Sequence, residues 1–406
     1  MGSLDILAVI RAPLEQYPPS INQVALLAEA GLKVGVVDCH HEDFIPQVFR
    51  GPGTVERFRF CGHTQLYKEK LPNPLIRLWR HWAFQRRISR VFRQRQPKVV
   101  IAYDPNAMVG AGGLWNTPFP PKLIWHFHEL CSRAARRTSR LSGRAVEFAC
   151  ENAAEVNLVI HPDEGRAEVF AKQAGLKTRP TVVMNCPRRL AKVPVDHLAA
   201  KLAGRGMAGR PTVYFHGWVG PSRCIEATIQ SMPWWPKTSV FVIVGPVADG
   251  YRGALMALGG EVGVAERLVF LGSVPYTEAL HLAAGATVGC SLVADQNDPN
   301  WTYSAGAINK RFEYMAVGLP QLADCGIRVP ELVEQTGCGL CVPSDSPEAI
   351  GQALSKLILN EAMRKEMGTR ARQLHLERFN YETEFQPVMR QVLAWLREGP
   401  RSCGPA

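Results

Sequence analysis

The chain has 406 residues, more than one hydrophobic core usually spans, so two domains are expected. A hydrophobic fraction of 46% with 20% charged residues is that of a globular protein and excludes general disorder. The net charge of +11 suits polyanionic partners: nucleic acid, anionic lipid headgroups or nucleotide diphosphates.

No uninterrupted apolar stretch reaches membrane-spanning length, and the first apolar run, preceded by Asp5, is too short for a signal peptide. Neither Met1-Gly2-Ser3, with Ile6 where Ser or Thr is wanted, nor Cys403-Gly404-Pro405-Ala406 completes a lipidation motif. Eleven scattered cysteines suit reduced thiols, and the expected location is cytoplasmic. The single CxxC, Cys338 to Cys341, has no second ligand pair nearby and reads as two small core hydrophobes.

In chain order, 4–10 reads as a buried strand, 11–19 as a loop, 20–30 as a helix stopped by Gly31, and 33–37 as a second strand. This is a βαβ unit of a doubly wound parallel sheet. Its first loop carries Pro13, Pro18 and Pro19 rather than GxGxxG, which weakens an oxidoreductase reading. Residues 39–43, Cys-His-His-Glu-Asp, form a strand-end loop rather than a metal cluster, because adjacent side chains diverge.

Residues 74–96 are the most polarised stretch. No acidic residue occurs between Glu69 and Asp104, whereas Arg77, Arg80, Arg86, Arg87, Arg90, Arg93 and Arg95 do. Leu75, Leu78, Trp79, Trp82, Ile88, Val91 and Phe92 add an apolar side at helical spacing. Two readings stand: a basic amphipathic helix on an anionic membrane surface, or a long helix packed on the sheet with a solvated basic face. No nucleic-acid-binding module is recognised.

Further strands are expected at 99–103, 122–126, 158–160 and 181–184. Asp104-Pro105, His128-Glu129 and His161-Pro162 stand at strand C-termini, where open α/β sheets bind ligands. A basic linker is expected over 186–210. The alternation then restarts, with strands at 212–215, 240–244, 268–271 and 288–293 and helices at 225–232 and 277–284. A final helix over 381–397 has room to pack back across the joint. The expected domains are therefore 1–185 and 211–380, with residues 381–406 as that helix and a tail.

Residues 307–320 carry the densest chemistry. A short helix there starts with Asn309 and Lys310 and stops at Gly318-Leu319-Pro320, a left-handed cap followed by a residue that cannot continue. Free N–H groups at such a start favour a phosphate, and Glu313, one turn on, can accept from a ribose or sugar hydroxyl. The alternative is a short buried helix whose Lys and Glu form a surface pair.

The run Asn309-Lys310-Arg311-Phe312-Glu313-Tyr314-Met315-Ala316-Val317-Gly318-Leu319-Pro320 resembles the donor-site signature NK-x-FEYMA-x-G-x-P of group 1 glycosyltransferases of the GT-B fold. Tyr214-Phe215-His216-Gly217 with Arg223, the turn Gly272-Ser273-Val274-Pro275, and Asp345-Ser346-Pro347-Glu348 resemble other parts of that donor domain. His126-Phe127-His128-Glu129-Leu130 resembles the acceptor-side HEL loop, with Glu147 at the following helix.

The resemblance implies two Rossmann-like doubly wound domains facing each other across a cleft. It further implies a retaining enzyme that transfers a sugar from a nucleotide-diphosphate donor to a saccharide, lipid-linked or small-molecule hydroxyl acceptor in cell-surface polysaccharide or glycolipid synthesis. Glu313 would bind ribose. Asn309 and Lys310 would sit at the sugar or diphosphate, and Arg223 at the diphosphate. Gly217 would line the first donor loop, Gly272 and Val274 would meet the base through backbone, and His128 would face the donor. No cofactor or metal would be required. Two positions depart from the pattern: Ala305 stands where many members carry an acid, and Trp218 where Arg often follows the glycine. They keep open a degenerate nucleotide-sugar-binding or scaffold subunit. A nucleotide-sugar epimerase shares the fold but needs acid/base residues that have no evident place here.

Overall fold

A computed structural model describes residues 2–39, 51–60, 74–131 and 140–398. Residues 40–43 of the His-rich loop and the 403–406 tail lie outside these. The chain divides into two compact units, Met1–Met184 with Glu384–Ala406, and Asn185–Thr383.

The first unit runs β1 (Ile6–Ile10), α1 (Pro18–Glu29), β2 (Lys33–Asp38), β3 (Thr54–Arg59), α2 (Pro74–Arg95), β4 (Val99–Tyr103), α3 (Asp104–Gly112), β5 (Lys122–His126), α4 (Arg140–Glu151), β6 (Leu158–His161), α5 (Glu164–Ala174) and β7 (Thr181–Val182). Its seven strands lie in the order β3-β2-β1-β4-β5-β6-β7, all parallel. Strands such as Ile6–Ile10 and Val99–Tyr103 are buried along their whole length, because helices cover both faces of a parallel sheet. The strand expected over 181–184 stops at Val182, since the Met184 N–H donates to the Glu384 carboxylate (3.1 Å).

The second unit runs α6 (Leu198–Ala203), β8 (Thr212–His216), α7 (Ile225–Gln230), β9 (Val240–Val244), α8 (Asp249–Glu261), β10 (Leu268–Gly272), α9 (Tyr276–Ala284), β11 (Val288–Cys290), α10 (Pro299–Thr302), α11 (Asn309–Val317), β12 (Gln321–Asp324), α12 (Val329–Val333), β13 (Gly339–Val342), α13 (Pro347–Leu359) and α14 (Glu361–Glu377). Its parallel sheet has the order β10-β9-β8-β11-β12-β13. The last helix, α15 (Tyr381–Arg397), begins in this unit and counts with the first from Glu384. Both sheets thus reverse direction beside their first strand, between β1 and β4 and between β8 and β11. Such switch points open a crevice at the strand C-termini.

Residues 186–210 are a packed part of the second unit rather than a free linker. Leu198 and Leu202 are buried in one cluster with Tyr214, Val240 and Val242, and Asp196 accepts from the N–H groups of Leu198 and Ala199. The Leu190 N–H donates to His375, and Arg188 pairs with Glu382 (2.6 Å). Its basic, helical pattern with Gly204 and Gly206 is why the stretch reads as connecting chain.

Helix α11 is buried from Lys310 to Val317. Gly318 ends it at φ 70°, and Arg372 donates to the Ala316 carbonyl (2.6 Å). The Arg311 guanidinium, with no exposure, pairs with Asp324 (2.5 Å) and donates to the Ser304 carbonyl (2.8 Å). Removing one partner of a buried pair strands the other charge, at about 3–5 kcal/mol. Asp324→Ala is therefore expected to destabilise the second unit by about that amount in urea unfolding, whereas the apolar double replacement Arg311→Met with Asp324→Leu recovers most of it. A loss below about 1 kcal/mol for Asp324→Ala would mean the pair does not hold the helix.

Candidate functional site

Beside the switch point of the second sheet, three glycines join the C-terminal ends of β8, β9 and β10. Gly217, after β8, has φ 117° and donates to the Val244 carbonyl; Gly245, after β9, has φ 139° and donates to Gly272. A Cβ on Gly245 would lie 1.9 Å from the Gly217 carbonyl oxygen, so no other residue fits there. Sequence reasoning gave Gly245 no role; the Gly-Pro following an apolar strand was its only signal. Gly217 faces Lys310, whose Nζ would lie 3.6 Å from an added Cβ.

Helix α11 points its start at this place. Its N-cap is Ile308, with no side chain capping the first N–H groups. Burial of the whole helix forces each ionisable residue to find a partner. Arg311 has Asp324. Glu313 accepts from His216 Nε2 (2.6 Å), and the Tyr276 hydroxyl lies against the same carboxylate. Lys310, 6% exposed, makes no hydrogen bond or ion pair among the described residues; its ammonium sits 4.2 Å from the centre of the Phe215 ring. Burial, and then the Arg223 charge, hold its pKa well below the usual lysine range against the pull of Glu313. Arg223 lies over the Trp301 ring (4.8 Å) at the end of the turn that follows β8. Two cations and an uncapped helix start therefore converge where, among the described residues, no carboxylate pairs directly with the lysine, an environment that favours an anion.

The surface Lys–Glu pair that was the bland alternative for 307–320 is absent: both side chains are buried, and Glu313 is held by His216 instead. The His216 contact to Glu313 was not anticipated from the sequence, and the place of His216 as the last residue of a strand at the switch point was the available signal. Asn309 opens the helix half-buried. Gly272 ends β10 at φ 72°, and Val274, in the turn that follows, packs against the core. Ala305 is buried beside Ser304, and Trp218 is 54% exposed with its ring lying over Gly220. Asp295 and Asp298 are consumed locally, Asp295 accepting from Asn297 and Thr302 and Asp298 capping α10.

A second polar cluster occupies the corresponding place in the first unit. His128, just after β5, shares its Nδ1 proton with Asp104 (2.7 Å), and its Nε2 meets the Ser20 hydroxyl (2.7 Å). Asp104 also accepts the His128 N–H (3.0 Å), and the ring stacks on Tyr17. Burial pushes the Asp104 carboxyl up, but the His128 ring and N–H outweigh it and hold the group below the usual range. Asp104 adopts φ 61°, a left-handed conformation that strains a non-glycine residue. The order Ser–His–Asp is that of a hydrolytic triad, yet Ser20 has no exposure and cannot reach a substrate. Both ring nitrogens of His128 are already engaged, so a ligand must compete with Ser20.

Residues 210–360 match the family model of group 1 glycosyl transferases. No curated protein sequence matches the chain. Solved structures resemble it over nearly its full length. Sucrose-phosphate synthase from Thermosynechococcus elongatus superposes with a TM-score of 0.72 at 16% identity, covering 96% of this chain and 99% of that one. HepE of Anabaena, solved with UDP and glucose, gives 0.70 at 16%, covering 96% and 100%. A glycosyltransferase from Rickettsia africae gives 0.72 at 11%, covering 98% and 100%. The fold is GT-B. At these identities the structures carry the architecture alone.

Behind the His128 cluster, His126 is fully buried, with Gln23 as its neighbour (3.3 Å), and burial depresses it to about 3. An unfolded histidine titrates near 6.5, so below that pH the unfolded chain binds a proton the folded one refuses. The stability of the first unit is expected to fall as pH drops from about 6.5 towards 3, by up to about 1.4 kcal/mol per pH unit for this residue. His126→Gln should give a shallower slope in urea unfolding across that range, and an unchanged slope would remove His126 as the cause.

Proposed function

We propose that the chain is a glycosyltransferase that moves a sugar from a nucleotide-diphosphate donor to a hydroxyl acceptor, with retention of anomeric configuration. The observation that carries this is the buried Lys310 ammonium beside Arg223 at an uncapped helix start, inside the segment that matches the family model.

The leaving diphosphate gains negative charge as the sugar C1–O bond breaks, and Lys310, Arg223 and the N–H groups of Asn309 and Lys310 supply preorganised positive potential there. A phosphate also raises the lysine pKa that burial has lowered. Glu313 receives the ribose hydroxyls; His216 occupies Oε2 and fixes the carboxylate while other lone pairs remain. Gly217, Gly272 and Val274 offer backbone to the nucleotide, and the small residue at Gly217 lets the diphosphate approach Lys310. The acceptor oxygen bonds to C1 on the face the diphosphate leaves, and its proton passes to the departing phosphate oxygen. No protein nucleophile is assigned. His128, held by Asp104 and Ser20, is the first unit's candidate for the sugar, which would have to displace the Ser20 contact. The acceptor is a saccharide, a lipid-linked sugar or a small molecule, in polysaccharide or glycolipid assembly on the cytoplasmic side.

Ala305 motivates a second reading, a nucleotide-sugar-binding subunit without turnover, because a buried methyl group stands where an acid would support the sugar. A transfer assay with UDP-, GDP- and dTDP-sugars separates the two, and an epimerised donor sugar among the products would instead identify an epimerase. Arg223→Ala or Glu313→Ala should each lower transfer about a hundredfold or more. Nucleotide binding without turnover supports the subunit reading, and activity that survives both changes overturns the site.

Lys310 provides an independent check. At pH 8, binding of UDP is expected to take up protons, because the phosphates raise a lysine that burial has lowered. Calorimetry in buffers of different ionisation enthalpy reads this as a buffer-dependent heat. The dependence should vanish in Lys310→Met, and its persistence there would assign the proton to another group.

A further inference from the structure

Helix α2 has two faces of different character. Phe84, Ile88, Val91 and Phe92 are buried in the core of the first unit. Arg95 belongs with that inner side: it is 8% exposed, pairs with Glu56 (2.5 Å) and donates to the Gly2 carbonyl. The expectation that all the arginines from 77 to 95 form one surface is corrected accordingly, while the Arg77 side chain lies outside the described residues. The opposite stripe begins with Leu75 (72% exposed), Leu78 (54%), Trp79 (63%) and Trp82 (47%), at helical spacing over the first turns. It continues as Arg86, Arg90 and Arg93, which line an open groove along the same side. The Arg86 guanidinium lies 3.7 Å from the centre of the Trp82 ring, where the two parts meet.

We infer that this stripe docks the protein on an anionic phospholipid surface, the apolar first turns entering the acyl boundary and the three arginines resting on headgroup phosphates. Four large apolar side chains left in water at one helix end are costly, and burial in lipid removes that cost. Tryptophan stacked with arginine suits the interfacial layer, where a ring wants an apolar body and a wet edge. A second copy of the chain fits poorly, because the helix offers no carboxylate to the arginines. Nucleic acid would engage the arginines and leave Leu75, Leu78 and Trp79 in water. Among the described residues no helix is long and apolar enough to cross a membrane, so the contact is with a surface. It belongs to the first unit, and its test needs no nucleotide.

The test is cosedimentation of the full chain with vesicles of phosphatidylcholine alone or with phosphatidylglycerol, at low and high salt, following tryptophan emission. Binding is expected to the phosphatidylglycerol vesicles, to weaken with salt, and to shift emission to the blue. Each arginine near such a surface is worth about fivefold in partitioning, so Arg86→Gln, Arg90→Gln and Arg93→Gln together should weaken binding about a hundredfold. Leu78→Ser with Trp79→Ser should also reduce it and diminish the blue shift. These side chains are exposed, and unchanged circular dichroism and unfolding midpoints confirm that the variants fold. Equal binding to neutral vesicles, no binding, or undiminished binding by the arginine variant overturns the inference. So does concentration-dependent self-association, or binding to duplex DNA in place of vesicles.

Discussion

A helix without an exposed face cannot carry charge freely, and α11 carries three ionisable side chains in its first five residues. Arg311 is answered by Asp324 and Glu313 by His216, while Lys310 lies over Phe215 with Arg223 as the strongest charge acting on it. Desolvation works against that ammonium, so the fold holds it in place through packing of the helix rather than through a counter-ion. The Arg311–Asp324 pair and the Arg372 contact at the other end fix where the helix starts, and hence where its N–H groups point. The glycine ladder of residues 217, 245 and 272 then leaves room in front of it.

The two units repeat one topology and place polar chemistry at equivalent positions. In each, the sheet reverses beside its first strand and buried histidines gather at the strand C-termini: His126 and His128 in one, His216 in the other. The difference lies in what remains to be satisfied. His128 is closed by Asp104 and Ser20 into a self-contained network, within which Asp104 keeps a left-handed backbone. The second unit leaves a cation open. A cluster closed on itself suits positioning, whereas a lysine without an ion-pair partner among the described residues suits capture of an anion.

Much of this was legible in the sequence because α/β architecture announces itself in period and punctuation. The strands at 99–103, 122–126 and 240–244 and the helix at 381–397 fall where apolar runs and breakers place them. The start and stop of α11 followed from Asn309-Lys310 and Gly318-Leu319-Pro320. What stayed hidden were pairings between residues far apart in the chain. Nothing local says that His216 meets Glu313 across 97 positions, or that Ser20 and Asp104 bracket His128. The same holds for 186–210, whose two leucines declare themselves as core only once β8 and β9 are beside them. The exposed turns of α2 were visible as amphipathic spacing, but only packing shows that Arg95 belongs inside.

The central claim is that α11 receives a diphosphate. A crystal structure of the chain with UDP bound tests it most directly. Phosphate oxygens are expected within hydrogen-bond distance of Lys310 Nζ and the first N–H groups of the helix, with ribose hydroxyls on Glu313. A nucleotide bound elsewhere, with Lys310 still facing only Phe215, would contradict it.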